Sequence, residues 1–173
     1  MKKLLKQYFL RLEELYLNTF NTKPASPYFD NCNLFVSTPD EEGYAEWLPI
    51  EIEHIDLENK EKLSKELIEF YSSYYYLNLS GEYKDIVFYF GNDMHTNETI
   101  NKAIKVAIAN GKYYFEDEEY ILIGNACKDG NDDLLVFYDN KNEIVFLYDQ
   151  DFNKKTEDIF KLEEIIKNLS PII

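Results

Sequence analysis

The sequence predicts a single-domain α+β fold, a twisted, mainly antiparallel sheet covered by helices. Three observations predict it. Short β-branched and aromatic runs recur, among them Asp85-Ile-Val-Phe-Tyr-Phe90, Tyr120-Ile-Leu-Ile-Gly-Asn125, Leu134-Leu-Val-Phe-Tyr138 and Ile144-Val-Phe-Leu-Tyr148. The runs from Tyr120 onward are joined by turns or short loops, so they pair antiparallel. Other stretches carry their apolar residues at helical spacing instead. No repeat, low-complexity tract or linker divides the 173 residues, a length able to bury one core.

From Leu4 to about Phe20, Leu4, Leu5, Tyr8, Phe9, Leu12, Leu15 and Tyr16 recur at helical spacing. Lys2, Lys3, Lys6 and Arg11 would suit a membrane-surface helix, but Glu13 and Glu14 argue for docking on the core. Asn21 to Asn33, with Pro24 and Pro27, reads as an irregular connection. Asn33-Leu-Phe-Val-Ser-Thr38 reads as a strand, Pro39-Asp-Glu-Glu-Gly43 as a turn, and Tyr44 to Ile50 as the second strand of a hairpin. Glu58 to about Tyr76 reads as a helix that either runs through or stops near Phe70, with extended chain continuing to Leu79 before Ser80-Gly81.

Asp85 to Phe90 is a strand closed by Gly91-Asn-Asp93. Asn97 to Asn110 places Ile100, Ala103, Ile104, Ala107 and Ile108 on one helical face, with Thr96 or Asn97 as cap and Gly111 just past the end. The strand Tyr120 to Asn125 leads into an acidic loop, and then into a hairpin of Leu134–Tyr138 and Ile144–Tyr148 around Asp139–Glu143. Thr156 to Leu169 reads as a closing helix through Ile159, Phe160, Leu162, Ile165, Ile166 and Leu169, stopped by Pro171.

Thirty-three acidic against eighteen basic residues give a formal charge of −15 and a pI near 4.5. That charge opposes phosphate backbones, so no nucleic acid is expected as partner. It favours a basic protein instead, steering encounter within a screening length of about 8 Å. Fifteen tyrosines and twelve phenylalanines argue against disorder, and many of the tyrosines must stay partly exposed to satisfy their hydroxyls. Cys32 and Cys127 read as reduced thiols in the cytoplasm. Charges interrupt the first apolar residues, so no signal-peptide core is expected, and no apolar run is long enough for an integral membrane segment.

Catalytic chemistry is weakly represented. His54 and His95 lack partners at metal-ligand spacing, and Asp93-Met-His95 reads as ordinary turn chemistry. Cys127 reads as a packed thiol because no histidine is near it in sequence. There is no Gly-x-Ser-x-Gly elbow, and the six glycines form no phosphate loop. Asp129-Gly-Asn-Asp-Asp133 has the look of a calcium loop but lacks the glutamate at the twelfth position and the flanking helix. A non-enzymatic protein without cofactor or metal is expected.

The candidates for a protein interface are acidic and aromatic. Glu116, Asp117, Glu118 and Glu119 precede one strand, and Asp129, Asp132 and Asp133 precede the next. They read either as solvated turns or as two clusters at one end of the sheet that meet a basic partner. Tyr74, Tyr75 and Tyr76 would alternate faces if extended, so at least one should be exposed as an anchor. Trp47 is the other anchor candidate, with a core position as its alternative.

The order of strand, Gly-Asn loop, hairpin and terminal helix resembles the C-terminal half of the SUKH superfamily, small bacterial domains that mostly bind and neutralise toxins. Within it the chain looks most like the Syd family, whose founding member is a cytoplasmic protein that binds the SecY translocon channel. Ser37, Thr38 and Trp47 carry the likeness into the N-terminal half, and Leu169-Ser-Pro-Ile-Ile173 at the end, while the loops and most strand residues differ. The resemblance implies a sheet whose concave side is available to a partner. It also implies an immunity protein for a cognate toxin or, alternatively, a protein at the basic cytoplasmic loops of SecY, meeting the membrane only peripherally through that partner.

Overall fold

A computed structural model describes all 173 residues. Helix α1 spans Lys2–Phe20 and is followed by three short strands, β1 (Ala25–Pro27), β2 (Tyr44–Glu46) and β3 (Ile50–Glu51). A 3-10 turn at Lys60–Lys62 precedes α2 (Lys65–Tyr71), β4 (Tyr74–Tyr83) and β5 (Ile86–Met94). Helix α3 (Asn97–Phe115) then leads to β6 (Tyr120–Lys128), β7 (Asn131–Asp139), β8 (Ile144–Asp149) and β9 (Lys154–Phe160). The last elements are α4 (Leu162–Asn168) and β10 (Ser170–Pro171).

Strands β4 to β9 form an antiparallel meander, and β3 and β10 both add to the free edge of β4, at Tyr74–Tyr75 and Gly81–Glu82, to complete an eight-stranded sheet. With four helices packed against it, the sheet gives the α+β class that the sequence predicts. Direct cross-strand partners share a face. On one face the rows Phe88–Ala126–Leu134 and Ile121–Tyr138–Val145–Phe160 meet the helices. Phe70 of α2 packs edge-on to Phe90, and the Tyr138 hydroxyl donates to Glu66 at 2.7 Å. From α1, Leu5, Tyr8, Phe9 and Leu12 are buried, and the Tyr8 hydroxyl donates to the Ser80 carbonyl at 2.7 Å. Burial drives that hydroxyl's pKa far above its ordinary value, so it remains a donor. Helix α4 lies on α1, where Arg11 donates to the carbonyls of Lys167 and Leu169.

Local chemistry sets the helix starts. Ser64 caps α2 by accepting from the Leu67 N–H, and Thr96 with Thr99 forms a reciprocal box at the start of α3. Several boundaries differ from the sequence reading. Asn33–Thr38 is not a strand: it contributes one bridge, Phe35 to Trp47, because β2 pairs with β1 inside the stretch read as irregular. Strand β4 runs through Ser80-Gly81, and the chain reverses at Lys84 and Asp85, both with positive φ. Gly91-Asn-Asp93 bends β5 without ending it.

Helix α3 continues to Phe115, and Gly111 lies inside it rather than past its end. An ideal Cβ at Gly111 would stand 1.6 Å from the Tyr120 carbonyl oxygen, so the glycine marks close helix–strand contact. The closing helix is shorter than its apolar spacing predicts. Lys154–Phe160 is strand β9, paired with β8, and Pro171 sits in β10.

Candidate functional site

The sheet face turned away from α1, α2 and α4 is only partly covered. Tyr89, Asn125, Leu135, Tyr148 and Lys155 are successive ladder partners across five strands, and Leu122, Phe137, Phe146 and Ile159 form a second row. The last turn of α3 lays Tyr114 and Phe115 on these rows, with ring centroids 5.7 Å and 5.0 Å from Phe137. The result is a small second core of Leu135, Phe137, Phe146 and Tyr148. The flanks stay open, with Tyr89 42% exposed and Ile159 60% exposed.

Strands β5 and β6 pair only where Ile86–Tyr89 meets Asn125–Lys128. Beyond that point α3 packs against both, leaving an apolar groove of about 200 Å³ lined by Tyr71, Tyr89, Ala103, Val106, Leu122 and Asn125. Gly124 keeps the strands close where their pairing ends: a Cβ there would come within 2.3 Å of the Tyr89 carbonyl oxygen and 3.1 Å of the Phe90 Cα. Tyr89 and Val106 form the exposed lips.

The structure places the two acidic clusters at opposite ends of β6, not at one end of the sheet. Glu116–Glu119 precede its first residue, whereas Asp129, Asp132 and Asp133 follow its last, a separation of about 30 Å for nine extended residues. β6 and β7 are consecutive antiparallel strands, so their starts lie at opposite ends. The clusters thus frame the open face along its length.

Glu118 pairs with Lys62 at 2.9 Å and Lys112 at 3.7 Å. The hydrogen bond and charge of Lys62 hold its carboxyl below the ordinary value, so this interaction is present at neutral pH and lost as pH falls through the lowered pKa. At the other end, Asp129 and Gly130 turn the chain with φ of 53° and 79°, and Asn131 accepts from the Asp133 N–H at 2.9 Å. The Cys127 thiol is raised above its ordinary pKa, first by hydrogen bonding to Asp132 and then by burial. In a Cys32→Ser background, Asp132→Asn is therefore expected to speed iodoacetamide alkylation of Cys127 at pH 8 about threefold, read by mass spectrometry. An unchanged rate would separate Asp132 from the thiol.

The aromatic candidates divide. Trp47, Tyr74 and Tyr76 are buried, which removes them as contact residues. Trp47 belongs to the main core, and its backbone is held on both sides, the amide N–H donating to the Pro24 carbonyl at 2.8 Å and the chain bridging Phe35. Tyr74 and Tyr76 pack on Phe9 of α1. Tyr75, on the opposite face, is half-buried and bonds Asn97 through its hydroxyl. The exposed aromatics that sequence reasoning passes over include Tyr89, Tyr113 and Phe152. Tyr89 was signalled by alternation, since it lies between buried Phe88 and Phe90 in a period-two strand.

No group of three or more His, Cys, Asp or Glu side chains is arranged to hold a metal ion, and no helix is long and apolar enough to cross a membrane. No protein-family model and no curated protein matches the chain.

Proposed function

We propose that this chain is a non-enzymatic binding protein of SUKH immunity type that docks a basic toxin on its open sheet face. The observation that carries the reading is the pairing of an apolar groove, lipped by Tyr89 and Val106, with acidic clusters at both ends of the strand beside it. Exposed apolar and aromatic groups supply desolvation and contact area, and the surrounding carboxylates select a basic partner and raise its encounter rate. A nuclease surface is basic because it holds phosphate, so an acidic protein competes in the same field. Occlusion, not chemistry, would neutralise it.

The test is to read the neighbouring gene and, where it encodes a cationic toxin-like domain, to co-express the two, scored by growth and by association kinetics; a neighbour with no such domain counts against the reading. Rescue of growth and formation of a stable complex are expected. Replacing Asp132 and Asp133 together by lysine should slow association about tenfold at 20 mM salt and much less at 500 mM. An unchanged on-rate would exclude the acidic turn. Retention on SecY-containing vesicles without growth rescue would overturn the toxin reading in favour of Syd-like binding.

A further inference from the structure

Lys155 lies on β9, the outermost strand of the sheet, and takes part in none of the protein's ion pairs despite the excess of carboxylates. Its ammonium instead sits 4.2 Å from the ring centroids of Tyr120 and Phe146 and 5.0 Å from that of Phe115. The three rings face one another at steep angles, 90° between Tyr120 and Phe146, 75° between Phe115 and Phe146, and 54° between Phe115 and Tyr120. Rings so disposed turn several negative π-faces toward one point, the arrangement that attracts an organic cation. Both walls supplied by the α3–β6 connection adjoin carboxylates in sequence: Glu116 follows Phe115, and Glu119 precedes Tyr120.

We propose that Phe115, Tyr120 and Phe146 form a cation-recognition site that Lys155 fills in the free protein and that a lysine side chain of the basic partner occupies in its place. Lys155 is exposed and reaches the rings through a flexible four-carbon stem, so its head can leave while its backbone stays paired with Tyr148. Phe146 is buried and fixed, whereas Phe115 and Tyr120 are half-buried, which leaves the box open on the solvent side. The internal lysine acts as a competitor: it keeps the rings covered and sets the strength a partner lysine must exceed. The source of the incoming cation rests on the binding-protein reading; the site itself does not.

The probe is the peptide acetyl-Gly-Lys-Gly-amide, with acetyl-Gly-norleucine-Gly-amide as the uncharged control, followed by aromatic NMR shifts of Phe115, Tyr120 and Phe146. In K155A the lysine peptide is expected to saturate these shifts at about one-tenth of the concentration needed with the wild-type protein, and the norleucine peptide to bind at least fivefold more weakly. Tyr120→Leu in the K155A background should abolish the difference between the two peptides while thermal melting reports whether the fold persists. Equal binding of both peptides would reduce the rings to an apolar patch and overturn the proposal. So would a K155A protein that binds the lysine peptide no tighter than wild type. Failure of toxin binding would leave the peptide result intact, so the two readings fail separately.

Discussion

Trp47→Ala is expected to lower stability by about 4 kcal/mol and the melting temperature by about 12 °C, followed by circular dichroism. Trp47 is 2% exposed and belongs to the main core. Its backbone lies between two loop segments. The Trp47 N–H donates to Pro24, and flanking bonds tie Val36 to Glu46 and Leu48 to Leu34. Trp47 also lines a groove of about 400 Å³ with Leu12, Tyr16, Phe29 and Leu77, so truncating it is expected to loosen the 24–48 segment against α1 and β4 together. Because the ring offers almost no surface, partner affinity measured below the variant's melting range should change less than about twofold. A large affinity loss in a folded Trp47→Ala protein would restore this residue to the interface.

Gly111→Ala is expected to cost about 3 kcal/mol, seen as a lower urea midpoint with an unchanged slope. The new methyl would meet the Tyr120 carbonyl oxygen at 1.6 Å and its carbon at 2.7 Å. Both atoms are backbone, so no rotamer change relieves the overlap, and α3 must move off β6. The better helix propensity of alanine, about 1 kcal/mol, offsets only part of that cost. The same displacement would separate Phe115 from Tyr120. A neutral or stabilising result would contradict the packing of α3 on β6.

Amphipathic runs with a single periodicity were legible in the sequence. Helix α1 shows its stripe of Leu5, Tyr8, Phe9 and Leu12, α3 announces its start at Thr96, and the β7–β8 hairpin is bounded by polar residues. Where two periodicities coexist, tertiary pairing decided. Ile159 and Phe160 fit a helical spacing with Leu162 and Ile165, yet Phe146 and Val145 of β8 take them as ladder partners, leaving Ile159 exposed. Gly81 and Gly111 look like punctuation in the sequence, whereas both mark close approach by another backbone. The real reversal at Lys84–Asp85 lacked a glycine, and Lys at positive φ is not a readable turn signal.

The candidate face was legible in part. Runs of carboxylates can be read directly, but their placement at the two ends of β6 follows from strand order, which no local pattern encodes. Tyr89 needed only strand alternation. The aromatic box needed long-range pairing, since Lys155 is 35 residues from Tyr120 and 40 from Phe115 in the chain, counted from their positions.

The seam between α1, α4 and β10 bears on synthesis. Arg11 finds its carbonyl acceptors at Lys167 and Leu169, and the α4 surface that shields α1 is translated about 150 residues after it. At roughly 5–20 residues per second, α1 waits on the order of 10–30 s on the ribosome with that flank bare. Nascent chains of this protein are therefore expected to engage holdase chaperones through their first helix until the last strand is stitched to β4.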